Sequence, residues 1–295
     1  VSSSDLDRFV EHRQREGASN GSINRELAAL KRMFRLGLMR KKMGAVPAFP
    51  HLAENNVRTG FADDDHCQKL LESCPELWFR TLVECGRTYG WRISELLNLR
   101  VGQVDLAART VRLEPGTTKN REGRTVTMTQ AVFVLLTACV HGKRPDDFVF
   151  TRSDGRAVRD FRVAWHKGCC AAGVGWMICR TCGDVIVSRE SPKWQPCPQC
   201  KGTIDDLAYR GLIFHDLRRT AARDLRRAGV AEGVIMKIGG WRTRSVFERY
   251  SIVSTSDITD GVKKLEASRE SYSSGTVAHS AVHSAPSPAG QQIVN

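Results

Sequence analysis

The sequence predicts a mixed α+β protein, mainly helical, built as two domains. Three observations lead to this. Apolar residues recur at spacings of three and four over most of the chain. Between Val101 and Met128 the pattern changes to alternation rich in β-branched residues around a polar, turn-like centre. Pro47, Pro50 and a polar run to Thr59 read as a linker between a short helical region and a longer one. The expected boundaries are 1–58 for the small N-terminal helical domain and 59–267 for the larger domain. An insertion at 174–208 interrupts the larger domain, and a disordered tail covers 268–295.

Residues 5–42 read as helical. Leu6, Phe9 and Val10 form one apolar stripe, and Ile23, Leu27, Leu30, Met33, Phe34 and Leu38 form a second. Ser22 is the expected N-cap, with Glu26 near the capping-box position. Arg25, Lys31, Arg32, Arg35, Arg40, Lys41 and Lys42 decorate this segment, either as a solvated face or along nucleic-acid phosphates. Asp63-Asp64-Asp65 starts a helix in the second domain, and Trp78, Leu82, Val83 and Cys85 continue as core-facing helix. Gly90 ends that segment. Arg92 opens the next helix with Glu95 at i+3, able to hold the guanidinium.

Thr117 to Arg124 reads as a hairpin turn carrying Lys119, and Thr125 to Met128 as the returning strand. Residues 129–140 form an apolar helix, Phe148-Val149-Phe150 a short strand, Val158 to Ala172 a helix, and Ser251 to about Ala267 a last helix. The remainder is rich in Ser, Ala and Gly, and is expected to be disordered.

Composition narrows the partners. The chain has 295 residues, 45 basic against 32 acidic, and a formal charge of +13. Such an excess favours a polyanion, nucleic acid first, although many soluble proteins carry one. No apolar run of about 18 residues is present, so no membrane span is expected. No signal peptide is visible, and ten cysteines in this length are too sparse for a secreted disulfide scaffold. A cytoplasmic location fits. The opening Val1-Ser2-Ser3-Ser4 lacks a methionine and points to a truncated piece.

Cys179-Arg180-Thr181-Cys182 and Cys197-Pro198-Gln199-Cys200 are two CxxC knuckles, 14 residues apart. Two knuckles supply four thiolates, the donor set of a tetrahedral structural zinc site with no open position for substrate. Val185-Ile186-Val187 between them reads as one strand of a zinc ribbon. The alternatives are core cysteines or a redox pair, but no βαβ pattern surrounds them.

Phe214-His215-Asp216-Leu217-Arg218-Arg219-Thr220 places His215 and Arg218 on one face of a helix's first turn. A helix N-terminus already favours anions, and an arginine fork with an imidazole makes a phosphate-binding corner there. The ordinary alternative is a surface helix with a charged face. Downstream, Gly240-Trp241 precedes Tyr250 at the end of a short basic segment.

Taken together, Arg92, Lys119, His215, Arg218, Trp241 and Tyr250 suit phosphoryl chemistry. Two arginines can fork onto non-bridging oxygens and stabilise the charge of a pentacoordinate phosphorus. A tyrosine hydroxyl holds its proton at neutral pH, so attack needs a base or a positive setting. A lysine can protonate a leaving alkoxide, histidine can move the tyrosine proton, and indole can donate a hydrogen bond. No acidic cluster for Mg²⁺ and no P-loop are evident. Metal-free transesterification without ATP is therefore expected.

These segments resemble the boxes of the tyrosine recombinases of the phage integrase family. Tyr89 to Leu96 resembles the first arginine box, and Thr118-Lys119 with Arg124-Thr125-Val126 resembles the β-hairpin lysine segment. Phe214 to Thr220 resembles the histidine–arginine box. Gly240-Trp241 stands where the family has glycine before histidine or tryptophan, and Tyr250 stands at the nucleophile's place.

The resemblance implies that Tyr250 attacks the scissile phosphate to give a 3′-phosphotyrosine and a free 5′-hydroxyl. Arg92 and Arg218 would hold the phosphate, Lys119 would serve as general acid, and His215 would assist proton transfer. Trp241 would support the phosphate or its surroundings, and Glu95 would steady the site. It further implies double-stranded DNA as partner, a homo-tetramer on paired sites, and a nucleoid-associated recombinase of a mobile element. Residues 1–58 would be a partial core-DNA-binding domain, short for the family. The zinc ribbon ahead of His215 departs from the family pattern and must loop outward without moving His215. Two alternatives stand beside this reading: a DNA relaxase or resolvase related to type IB topoisomerases, and a zinc-containing DNA-binding protein without catalysis.

Overall fold

The computed structural model describes residues 1–54, 60–114, 123–186, 196–203, 206–250 and 255–280, the last with backbone only at 255–256 and 271–280. The chain divides into two compact units, Val1–Arg58 and Thr59–Asn295.

In the first unit, the helical region expected over 5–42 is two helices, α1 (Ser3–Arg15) and α2 (Asn20–Met39). Gly17 breaks it with φ +78°, a conformation that a residue with Cβ adopts at a cost. The N-cap of α2 is therefore Ser19, not Ser22, and the Ser19 hydroxyl accepts from the Ser22 N–H at 3.3 Å. Glu26 makes no capping box; it takes a two-pronged bond from Arg13, at 2.9 Å through both Nε and Nη2. Leu6, Val10, Ile23 and Leu27 are the buried centre, with Phe9, Leu30, Phe49 and Leu52 against them. Asn24 pins the incoming loop, donating to the Leu52 carbonyl at 2.9 Å and accepting from its N–H at 3.0 Å. Met33 and Leu38 belong to the expected stripe but are exposed. A helix of 20 residues outruns a partner of 13, so beyond α1 the far end of α2 packs mainly through Phe34, edge-on to Phe49 at 5.8 Å.

The second unit is organised around α4 (Leu77–Tyr89), which buries Trp78, Phe79, Leu82, Val83, Cys85 and Tyr89. Against it pack α3 (Asp64–Glu72), α6 (Gln130–Val140) and α8 (Leu217–Arg227). Phe79, Trp165 and Phe214 form an aromatic chain through this core, with centroids 6.2 and 5.3 Å apart. The start of the unit is fastened to α8. The Ala62 N–H donates to the Thr220 hydroxyl at 3.1 Å, and Arg223 bonds both the Ala62 carbonyl and Asp63.

After the short α5 (Ile93–Leu97), Val101–Gln103 is a 3₁₀ turn rather than the start of a strand. Strands β1 (Val104–Asp105), β2 (Thr110–Leu113) and β3 (Arg124–Thr127) then form an antiparallel sheet, with Val111 opposite Val126. Lys119 and the hairpin tip lie outside the described residues. Phe148-Val149-Phe150 is not a strand. It makes an isolated bridge from Phe148 to Arg100, and Thr151 makes another to Ala157. Those bridges hold the chain extended to Val158, so α7 runs Arg162–Ala171 instead of starting at 158.

The cysteine region is a second antiparallel sheet in the order β5 (Val185–Ile186), β4 (Gly175–Cys179), β6 (Leu207–Gly211). The sheet continues three residues past the expected end of the insertion at 208. Helices α9 (Glu232–Gly239) and α10 (Arg244–Glu248) follow α8. The last helix, α11, spans Thr255–Ser280 and so extends beyond the expected end near 267 into the predicted tail; residues 281–295 lie outside the described residues.

Candidate active site

Gly90 sets the geometry of the first arginine. It ends α4 in the left-handed region at φ +64°, and a Cβ there would lie 3.1 Å from Ala221 and 3.2 Å from the Trp241 ring. The chain therefore turns tightly over α8 and presents Arg92 as the residue before α5. Glu95 holds Arg92 from both ends. One carboxylate oxygen accepts from the Arg92 backbone N–H at 3.0 Å, and the other from its Nη1 at 2.8 Å. Tyr89 and Trp91 stack at 5.0 Å and clamp the turn, Tyr89 donating to the Thr127 carbonyl and Trp91 to that of Ile238.

His215 is not on the helix with Arg218, as its spacing predicts. It lies in a separate 3₁₀ turn, Phe214–Asp216, closed by Asp216 accepting from the Ile213 N–H at 3.0 Å. The difference aims the ring outward, where His215 Nε2 lies 2.9 Å from the Tyr250 hydroxyl. Arg218, on α8, points inward and is 1% exposed. Its Nη1 donates to the carbonyls of Gly90 and, at 3.1 Å, Gly239. Its guanidinium carbon lies 4.5 Å from the Trp241 ring centroid and 5.4 Å from that of Tyr250. Cation–π contact in a dry setting is worth up to about 2 kcal/mol. Trp241 is buried with Ala222, Ile235 and Phe247, and Tyr250 packs on this cluster.

The structure thus brings together Arg92, Glu95, His215, Arg218, Trp241 and Tyr250. Three of the donors gathered here, Arg218 Nε, Trp241 Nε1 and Arg124 Nε, are buried without a hydrogen-bond partner among the described residues. Buried donors are costly when unmet, so a cluster of them is suited to an anion.

Electrostatics point the same way. Burial and the nearby Arg92 charge lower the Arg218 pKa to about 10, which leaves it cationic at neutral pH. His215 keeps an exposed edge, yet desolvation of its ring, with Arg218 and Arg92 beside it, outweighs Asp216 and holds its pKa below the usual imidazole value. Burial pushes Glu95 upward, but Arg124 and Arg92 prevail and keep it ionised.

Sequence reasoning named Arg124 within the hairpin segment but gave it no place in the site. It begins β3, and its Nη2 donates to Glu95 at 2.6 Å. A signal was present: Arg124 shares a strand face with Val126 and Met128, so a charge falls on the buried side of a strand.

The four cysteine sulfurs lie within 4.8 Å of one another. Cys179 and Cys200 are 3.6 Å apart, as are Cys182 and Cys197. Four thiolates at about 2.3 Å from a tetrahedral zinc stand about 3.8 Å apart, so the donor set fits the ion. The strand leaving this knot, β6, runs towards His215 and is clamped first. The Leu212 carbonyl accepts from Trp165 Nε1 at 2.8 Å and from the Tyr209 hydroxyl at 2.6 Å, and Tyr209 stacks on His166 at 4.0 Å.

Residues 61–174 match the phage integrase family. Over that stretch the chain is similar to phage integrases. The family match ends one residue before β4, where the inserted sheet begins. The integrase of Salmonella phage P22 is 22% identical over 238 residues, covering 77% of this chain and 52% of that protein. The tyrosine recombinase XerA of Saccharolobus solfataricus is 29% identical over 104 residues, 35% of this chain and 34% of XerA. The chain therefore spans about half, or less, of the curated relatives it matches.

In fold, the chain resembles the Tn1549 transposon integrase solved with transposon right end DNA, at TM-score 0.62 and 15% identity over 90% of this chain and 86% of that one. It also resembles a lambda integrase tetramer solved on a Holliday junction, at TM-score 0.55 and 14% identity over 85% and 64% of the two chains. No helix among the described residues is long and apolar enough to cross a membrane.

Proposed function

We propose that this integrase-family chain is a site-specific DNA recombinase that cuts and rejoins strands through a 3′-phosphotyrosine. The observation that carries the reading is the 2.9 Å contact between His215 Nε2 and the Tyr250 hydroxyl, beside the buried guanidinium of Arg218.

In this mechanism the Tyr250 oxygen attacks phosphorus while its proton passes to neutral His215. Arg92 and Arg218 hold the non-bridging oxygens, and the buried indole N–H of Trp241 is available to the same phosphate. The bond to the 5′-oxygen breaks, and Lys119 protonates the leaving alkoxide. Rejoining reverses these steps with a 5′-hydroxyl from another strand. The phosphotyrosine conserves the energy of the broken diester, so ATP has no task, and the guanidiniums perform the charge neutralisation a catalytic metal would otherwise supply. Glu95 orients Arg92.

Double-stranded DNA as partner is supported by the +13 charge, and the place of action is then the nucleoid. Cys179, Cys182, Cys197 and Cys200 hold a structural zinc in this reading, saturated by sulfur. The test is a nicked duplex carrying the element's own junction, with a covalent protein–DNA adduct scored on a denaturing gel. Intact DNA binding with no adduct would favour the binding-protein alternative.

The pH dependence follows from His215. It must be neutral to accept the proton, and its lowered pKa keeps it neutral further into acid. The acid limb of the cleavage rate is therefore expected below the ordinary imidazole value of about 6.5. A limb at or above that value would remove His215 as the acceptor.

Assembly is favoured over single-copy relaxation by α11. Its first turn is tied to α8 through Asp257 with Arg226 and Arg227, at 3.2 and 2.8 Å. Beyond it Ile258, Val262 and Leu265 form an exposed apolar stripe. In this reading a second copy on paired sites covers that stripe. Ile258→Asp with Leu265→Asp is expected to abolish the multi-copy complex on native gels and cut strand exchange at least tenfold, since an unpaired charge buried there costs about 3 kcal/mol. Adduct formation on a single nicked site should stay near wild type. Unchanged strand exchange would remove α11 from the interface.

A further inference from the structure

Arg124 is a nearly buried cation to which the mechanism above gives no task. Its side chain is 10% exposed and lies 5.2 Å from the Trp91 ring. Its guanidinium presses on the backbone of Gly240, where a Cβ would come within 2.2 Å of its Nη1. Glu95 is 1% exposed and divides its two oxygens. One accepts from the Arg92 guanidinium, and the other from Arg124 together with the Arg92 backbone. A single residue thus ties together β3, the turn that carries Arg92 and the turn that carries Trp241.

We propose that Arg124 is a positioning residue for the scissile phosphate, taking up half of Glu95 so that the charge and free donors of Arg92 stay available to the substrate. Without Arg124, Arg92 is the one side-chain partner left to the carboxylate among the described residues, and the carboxylate draws that guanidinium back. Charge counting agrees. Arg92, Arg124 and Arg218 against Glu95 leave two positive charges where the attacked phosphorus gains negative charge. Loss of Arg124 halves that excess in a site where an ion interacts more strongly than in water. The absence of a side chain at Gly240 is the complementary feature, because it admits the Arg124 guanidinium.

This inference rests on the recombinase reading, so wild type and variants are assayed together on nicked duplexes. One duplex carries the natural phosphodiester at the cleavage position, the other a neutral methylphosphonate. Arg124→Met is expected to slow strand cleavage of the phosphodiester about 100-fold, with DNA affinity within about threefold, as for loss of one oriented charge at a reacting centre. Arg124→Lys keeps the charge but not the fork, and should recover part of the rate. On the methylphosphonate, which has one fewer negative charge to neutralise, the Arg124→Met defect should shrink to a few-fold.

Wild-type rates for Arg124→Met on the phosphodiester would overturn the proposal. An equal defect on both duplexes would do so too, since it would mark Arg124 as only a scaffold. If Arg124→Met fails to fold in a melting assay, Arg124→Lys on the two duplexes decides by the same comparison. Should the wild type itself form no Tyr250 adduct, the recombinase reading fails first, which keeps the two failures distinct.

Discussion

A Tyr250→Phe chain is expected to bind DNA as the wild type does and to form no covalent adduct. The substitution removes one oxygen and little else. The ring remains, with its 5.6 Å packing on Trp241 and the Arg218 guanidinium 5.4 Å from its centroid. The hydrogen bond to His215 is lost, a change of about 1 kcal/mol in stability. In the proposed mechanism catalysis loses its nucleophile. Among the described side chains the other tyrosines, Tyr89 and Tyr209, both donate their hydroxyls to backbone carbonyls, of Thr127 and Leu212, within the folded unit. Trapping on a nicked duplex with both proteins side by side measures the effect. An adduct of undiminished yield in Tyr250→Phe would place the nucleophile elsewhere and dissolve the mechanism.

The second large effect concerns the four-cysteine knot. Wild type purified without chelator is expected to carry about one zinc per chain by elemental analysis, and Cys197→Ser to carry none. Structural zinc sites of this donor type supply on the order of 10 kcal/mol of binding energy that serves as folding energy. Among the described residues of the insertion, the buried side chains are those of Met177, Cys179 and Cys197. Metal loss should therefore open 179–206 to protease, measured by mass mapping of limited digests.

Cleavage should nevertheless stay within a few-fold of wild type. The clamp on the Leu212 carbonyl by Trp165 and Tyr209 stands between the sheet and His215. A metal-free wild type would remove the zinc reading. Loss of cleavage in parallel with metal loss would show that the knot, not the clamp, holds the histidine turn.

The pattern of success follows from what local sequence can encode. Helix α4, helix α6, the 104–127 sheet and the cysteine knuckles were legible because their signals are periodicity or fixed short spacing. The start of α2 was legible only to within three residues, because Ser19 and Ser22 are both good caps and the break at Gly17 lets Ser19 take the role. Phe148-Val149-Phe150 has strand composition, yet Arg100 offers only one isolated bridge, so composition without a neighbour made no ladder. His215 and Arg218 were read onto one helical face. Asp216 instead closes a separate turn at Ile213, which sends the imidazole outward and leaves the guanidinium inward.

By itself the sequence determined the fold class, the resemblance to the integrase family, the candidate residues Arg92, His215, Arg218, Trp241 and Tyr250, and the four metal donors. Phosphoryl transfer and zinc binding each demand particular functional groups, and such groups survive as recognisable letters in chain order. Only the tertiary structure decided which of those groups touch. The His215–Tyr250 contact spans 35 positions, and the Arg124–Glu95 pair spans 29. Pairings across such distances are set by how a turn over Gly90, a strand edge and the Gly240 turn pack around one buried carboxylate, and no local period carries that information.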